Sequence, residues 1–207
     1  IDTLINIESI KFADQTLRIS NNNIPTDITL SSTSFNENIN SGSVVATLET
    51  TDADASDSHT YSLVSGTGDT DNSSFTIEGS NLKINAAPDY ETQSSYAVRL
   101  KTTDSGGLSY EEAVTFNVND INEVATDISL SSTSFNENID AGSAVATLST
   151  TDADASESHT YTLVSGTEDT DNALFTIEGS ELKINSSPDY ETQSSYDIRL
   201  KTTDSGG

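Results

Sequence analysis

Residues 50–67 read TTDADASDSHTYSLVSGT, and one hundred positions later residues 150–167 read TTDADASESHTYTLVSGT. In both copies an acidic loop runs directly into alternating polar and apolar positions, Thr60-Tyr61-Ser62-Leu63 in the first, the period-two pattern of a half-buried strand. Working outward, the match extends without a gap from 26–107 to 126–207, with about four residues in five identical. Substitutions are mild and fall mainly where solvent is expected, as at Asn40 and Asp140 or Glu49 and Ser149. The repeat sets two domains of one kind, and its near identity points to recent duplication within a longer array.

Strand signals in the first copy lie at 27–30, 44–50, 59–64, 75–78, 82–85, 96–102 and 110–118. Turn clusters such as Asn40-Ser41-Gly42, Glu78-Gly79-Ser80-Asn81 and Asp104-Ser105-Gly106-Gly107 separate them. Seven short strands in about 100 residues predict an immunoglobulin-like Greek-key sandwich. No stretch sustains a helical period, so the expected class is all-β. Copy two stops at Gly207, before the counterpart of 108–119, which predicts an incomplete repeat with an exposed sheet edge.

The chain carries 34 acidic and 8 basic residues, a net charge of −26, so nucleic acid and anionic membrane are poor partners. Hydrophobic residues make up only 32% of it, yet they are β-branched or aromatic and cluster in short runs, as strands require. With no Cys, neither disulfides nor zinc thiolate sites are available. No apolar run approaches the roughly 18 residues of a membrane span, so no membrane insertion is expected.

Carboxylates far apart in sequence recur in both copies, and here the chain resembles the cadherin family, including the cadherin-like repeats of large bacterial surface proteins. Asn36-Glu37-Asn38, Asp52-Ala53-Asp54, Asp89-Tyr90-Glu91 and Asp104-Ser105-Gly106 follow the family's order, and Asp120-Ile121-Asn122-Glu123 is similar to its acidic linker. The resemblance implies Ca2+ as cofactor, a hard cation that takes six to eight oxygen ligands. It implies a shared site of Glu37, Asp89, Glu91, Asp120, Asn122, Glu123, Asp152, Asp154 and Asp204, with the Ile121 and Val124 carbonyls. It implies a simpler amino-terminal site of Asn22, Asp52, Asp54 and Asp104 with the Ile24 carbonyl, and an incomplete distal set of Glu137, Asp189 and Glu191. Glu123, Val124 and Ala125 depart from the family's usual Asp, Asn and Pro, which bears on site geometry.

Residues 2–19, DTLINIESIKFADQTLRI, resemble the closing segment of RTX-type calcium β-roll domains; the plainer alternative is the end of some other preceding β domain. The expected organisation is therefore 1–20 as that end, 21–25 as linker, 26–119 as repeat one, 120–125 as calcium-binding linker and 126–207 as repeat two.

Competing readings are weaker. An EF-hand starting at Asp52 fails, because Asp57 stands where the sharp-turn Gly belongs and Leu63 where the bidentate Glu belongs. His59 and His159 lack a nucleophile elbow, so a structural hydrogen bond is expected of them rather than catalysis. Asp69 and Asp71 are expected to be solvated loop residues. The leading functional expectation is a non-enzymatic, calcium-rigidified spacer or adhesive segment, secreted or on the bacterial cell surface, whose partners are neighbouring repeats. The alternatives are a module binding polysaccharide, another cell-surface ligand or its own kind, with Tyr61, Tyr90, Tyr96 and Tyr110 as candidate contacts, or a filament subunit completed by a strand from another subunit.

Overall fold

The computed structural model describes residues 9–11 and 16–18 as backbone, and residues 22–154 and 157–206 with their side chains. It comprises two compact units, Ile1–Ile121 and Asn122–Gly207, divided within the 120–125 segment. Strands β1 (Ser9–Lys11) and β2 (Thr16–Arg18) pair antiparallel. The remaining residues behind the β-roll resemblance, and Asn21 of the 21–25 linker, lie outside the described residues.

Unit 1 continues with β3 (Asp27–Leu30), β4 (Ser34–Asn36), β5 (Val44–Thr51), β6 (Thr60–Leu63), β7 (Phe75–Glu78), β8 (Asn81–Ile84), β9 (Ser95–Thr103) and β10 (Ser109–Asn119). They form two four-stranded sheets, β3-β5-β8-β7 and β4-β10-β9-β6. Seven of these strands overlie the stretches expected from sequence, and β4 is an addition. It is three residues long with Phe35 its one apolar member, and it pairs in parallel with the end of β10. No local period announces such a strand.

Alternation does the packing. Along β9, Tyr96, Val98, Leu100 and Thr102 point inward, and along β8 Leu82 and Ile84 do the same. Phe35, Phe75, Tyr96 and Phe116 meet at the centre with ring centroids 5.5 to 6.4 Å apart. Burying each such side chain contributes about 1.5–3 kcal/mol. Thr102 is fully buried and satisfies its hydroxyl against Thr50 Oγ1 at 2.7 Å, while Thr50 donates to the Tyr61 hydroxyl at 3.0 Å. These bonds tie β5 to β6 and β9 across the two sheets, and Thr150, Tyr161 and Thr202 repeat them.

Unit 2 has β11 (Asp127–Leu130), β12 (Ala144–Thr151), β13 (Thr160–Leu163), β14 (Phe175–Glu178), β15 (Glu181–Ile184) and β16 (Leu200–Thr203). Its sheets are β11-β12-β15-β14 and the two-stranded β13-β16. Residues 134–136 and 195–199, the counterparts of β4 and of the first half of β9, are not strands. In unit 1 both are paired with β10, and no strand holds that place among the described residues of unit 2. Phe135, Val145, Tyr196 and Ile198 are accordingly only partly buried, where Phe35, Val45, Tyr96 and Val98 are buried.

Candidate metal centre

At the end of β5 in unit 1 the chain turns sharply. Asp52 Oδ1 accepts the Asp54 N–H at 3.0 Å, and the Asp54 carbonyl accepts the Asp57 N–H at 2.9 Å. This Asx-type turn sets three carboxylates close together in the chain. The end of β9 brings a fourth, Asp104, whose Oδ1 accepts the Leu108 N–H at 2.8 Å. One oxygen each from Asp52, Asp57 and Asp104 lies within 4.8 Å of the others. Asp104 is 6% exposed and the Asp52 side chain 2%.

Two of these groups are braced and one is not. The Asp54 N–H and then the His59 ring hold the Asp52 carboxyl below its ordinary range. His59 Nε2 lies 3.1 Å from Asp52 Oδ2, and since an ionised carboxylate only accepts, the ring donates. This is the structural hydrogen bond expected of the histidine, and His159 repeats it with Asp152 at 2.9 Å. Asp57 Oδ2 is a buried oxygen with no hydrogen-bond partner among the described residues.

The segment entering unit 1 closes the cluster from outside. Asn22 Nδ2 donates to Asp104 Oδ2 at 3.0 Å, and the Asn23 N–H donates to Asp54 Oδ2 at 2.6 Å. The Asn22 amide rests on Gly106, where a Cβ would fall well inside contact distance. Thus Asn22, Asp52, Asp54 and Asp104 of the expected set are joined by hydrogen bonds or proximity; Ile24 follows with its side chain exposed. Sequence reasoning overlooked Asp57. The available signal was an acidic residue at the same place in both copies, Asp57 and Glu157.

Unit 2 repeats most of this arrangement. Asn122 Nδ2 lies 3.3 Å from Asp204 Oδ2, the Glu123 N–H donates to Asp154 Oδ2 at 2.7 Å, and the Asp154 N–H donates to Asp152 Oδ1 at 3.3 Å. Glu157, one methylene longer than Asp57, instead accepts the Ser205 hydroxyl at 2.7 Å. Val124 is 79% exposed.

At the other end of unit 1, Glu37 is 3% exposed and accepts the Tyr90 N–H at 2.8 Å and the Ile121 N–H at 2.7 Å. A Glu91 oxygen lies within 4.8 Å of oxygens of both Glu37 and Asp120. Asp89 accepts the Thr92 N–H at 3.0 Å and its hydroxyl at 2.9 Å. In unit 2, Glu137, Asp189 and Glu191 come within 4.8 Å of one another, all exposed. The Thr192 hydroxyl chiefly holds the Asp189 carboxyl below its ordinary range.

Asp69 and Asp71 correct the expectation of solvated loop residues. Asp69 accepts the Gly66 N–H, and Asp71 accepts the Ala97 N–H at 2.7 Å and the Gln93 amide at 3.0 Å. With Asn72 Oδ1 on the Arg99 N–H, Asp71 covers the edge of β9 beyond the reach of β6, while Asp69 closes its own turn on Gly66.

Residues 31–119 match the family model described as the cadherin domain. That span is most of unit 1. Protocadherin Fat 4 of Mus musculus is 31% identical over 173 residues, covering 81% of this chain, and its Homo sapiens counterpart is 31% identical over 170 residues, covering 79%. The chain spans 3% of the length of either relative. Among solved structures, human protocadherin-24 EC1-2 aligns with a TM-score of 0.62 at 23% identity, covering 86% of this chain and 87% of that one. Protocadherin gammaB7 EC3-6, described as a cis-dimer structure, aligns at 0.61 with 22% identity, covering 89% and 44%. At these identities the structural likeness is one of fold, and the chain is built of tandem cadherin-type β-sandwiches.

Proposed function

We propose that this chain is a calcium-stabilised, non-catalytic segment of an extracellular adhesive or spacer array. The observation that carries the reading is the Asp52, Asp57 and Asp104 cluster with its buried, unpartnered Asp57 oxygen. Like charges this close repel, and burial removes the water that would screen them. A hard divalent cation is the group whose chemistry fits an all-oxygen donor set of carboxylates and a neighbouring amide. Asp52, Asp54, Asp57, Asp104 and Asn22 would hold it in unit 1. When bound, calcium supplies positive charge that offsets this repulsion, and its binding free energy adds to folding stability by linkage.

The sequence resemblance extends the reading. Residues 120–125, with Glu37, Asp89 and Glu91 before them and Asp152, Asp154 and Asp204 after, are proposed to share ions that convert successive repeats into a rod. The amino-terminal resemblance to calcium β-rolls favours a large secreted or surface protein of bacterial type, and this placement rests on residues 2–19 alone. Neighbouring repeats are then the principal partners. Self-association is favoured over polysaccharide binding, because Tyr61, Tyr90, Tyr96 and Tyr110 all pack on the unit 1 core and offer no flat aromatic platform.

Calorimetric titration with calcium, alongside thermal melts in calcium and in chelator, tests the proposal. Calcium should raise the melting temperature of the chain, Asp104→Asn should remove the unit 1 component, and Asp57→Asn should weaken calcium binding while raising stability in chelator. A chain indifferent to calcium would sink the reading. Scattering profiles that do not lengthen with calcium would remove the rod while leaving the unit 1 site standing.

A further inference from the structure

A β-sheet ends in a row of unpaired N–H and C=O groups, and such a row is a template on which another strand can pair. Among the described residues of unit 1, the edge strands β3, β4, β6 and β7 are only three or four residues long. Strand β9 is the exception: it is nine residues long, and β6 pairs with its residues 100–103 and stops there. The outward backbone of 95–99 is left to be satisfied by something other than a strand.

The segment 64–72 and Gln93 do this group by group. The Val64 N–H donates to the Arg99 carbonyl at 3.0 Å, and the Arg99 N–H donates to Asn72 Oδ1 at 2.9 Å. Asp71 takes both groups of Ala97, donating its N–H to the carbonyl at 2.9 Å and accepting the N–H on Oδ2 at 2.7 Å. Gln93 Nε2 donates to Asp71 Oδ1 at 3.0 Å and to the Ser95 carbonyl at 2.9 Å, and Asn72 Nδ2 ties back to the Val64 carbonyl at 2.9 Å. Side-chain oxygens thus stand where a neighbouring strand would place carbonyls, and the ionised one accepts more strongly than a peptide group. Val164, Asp171, Asn172 and Gln193 repeat every one of these bonds in unit 2, at 2.8 to 3.0 Å. One substitution between the copies adds a charge to this edge: Ala97 becomes Asp197, whose side chain is exposed. Charge on an edge is itself a deterrent to pairing.

We propose that Asp71 and Asn72 guard this edge, occupying the hydrogen-bonding positions of 95–99 that a second copy of the chain would otherwise pair with. Association between copies is thereby kept to other faces. The need for a guard is set by the sequence. Ser94-Ser95-Tyr96 and Arg99-Leu100-Lys101 recur unchanged at 194–196 and 199–201, so an open edge here would meet its own match in every like repeat. Mispairing between neighbours is a characteristic failure of repeated domains. With the edge open, two copies would pair antiparallel about Ala97, setting Ser95 of each against Arg99 of the other.

The test uses the full 207-residue chain carrying Asp71→Ala and Asn72→Ala together. In hydrogen exchange, the Ala97 and Arg99 amides of the unaltered chain should be slow at every concentration. In the dilute double variant they should exchange at least about tenfold faster, having lost their acceptors. At high concentration they should slow again, as sedimentation shows dimers forming. Adding Ala97→Asp, the residue that unit 2 carries at this place, should weaken that dimer about fivefold, since two carboxylates would then face each other across the new pairing. Asn72→Ala alone, which frees only the Arg99 N–H, should show the same changes at smaller size and stands in where the double variant does not fold. A folded variant that stays monomeric at every concentration overturns the proposal and leaves 64–72 a local brace. So does association that Ala97→Asp leaves unchanged, which marks aggregation through another surface, and so does fast exchange of the two amides in the unaltered chain.

Discussion

Asp57 and Glu157 occupy the same place in two near-identical copies, and one methylene separates their behaviour. The shorter chain leaves an oxygen buried beside Asp52 and Asp104, while the longer one reaches Ser205. Gly106 shows how little space surrounds this cluster, since any side chain there displaces the Asn22 amide from Asp104. Gly106→Ala should therefore cost about 1 kcal/mol of unit 1 stability, the worth of a hydrogen bond to a charged group near the surface, and should weaken calcium binding in titration. Away from the cluster, Glu112 has its carboxyl pushed up by burial and by the Asp27 charge, against a hydrogen bond from Tyr110 that lowers it. A carboxyl raised in the fold opposes folding once it ionises. That penalty is absent below the unfolded value of about 4.3 and complete above the raised folded one. Glu112→Gln, which keeps an acceptor for Tyr110, should raise the melting temperature at pH 7 and leave it unchanged below pH about 4. The candidate ligands were readable where family motifs name them, at Asp52, Asp54 and Asp104. Asp57 lies in a stretch that no motif covers, and its importance comes from a burial that only the folded turn creates.

At the scale of elements, β10 organises its repeat. It pairs with β9 over nine residues, reaches back to β4, and carries Phe116 into the centre of the aromatic cluster. Phe116→Ala should destabilise unit 1 by about 3–5 kcal/mol in denaturant melts. Hydrogen exchange should read the same dependence from the other side: the Tyr96 and Val98 amides should be well protected, and their counterparts at Tyr196 and Ile198 should exchange rapidly. Most strands were legible because alternation is a local property; 75–78, for example, is the strand Phe75–Glu78 that the sequence marks. The strand β4 was not, because its pairing partners lie 83 residues away and its three residues hold no period. The polar tie of Thr50, Tyr61 and Thr102 was hidden for a similar reason, since threonine and tyrosine in a strand read as ordinary β formers until two sheets bring them together.

For the molecule as a whole, the balance of −26 sets the terms. Thirty-four acidic groups on 207 residues make the chain a polyelectrolyte whose compact state is opposed by its own field. In chelator, monovalent salt should raise the melting temperature by screening, whereas in saturating calcium the same salt should change it little. Scanning calorimetry across both series separates screening from site binding. The domain count followed from the 100-residue repeat, which near identity made unmistakable, but no charge count tells which carboxylates gather and which brace their own turns, as Asp89 does with Thr92. The parallel pairing of β4 with β10 has one more consequence, in time rather than in space. The segment at 34–36 meets its partner only when 117–119 arrives, so a repeat drawn through a pore from either end stays unlocked until nearly all of it has passed. Closure of unit 1 is then the last event of such a passage, a single click that waits on whichever of 34–36 and 117–119 comes through second.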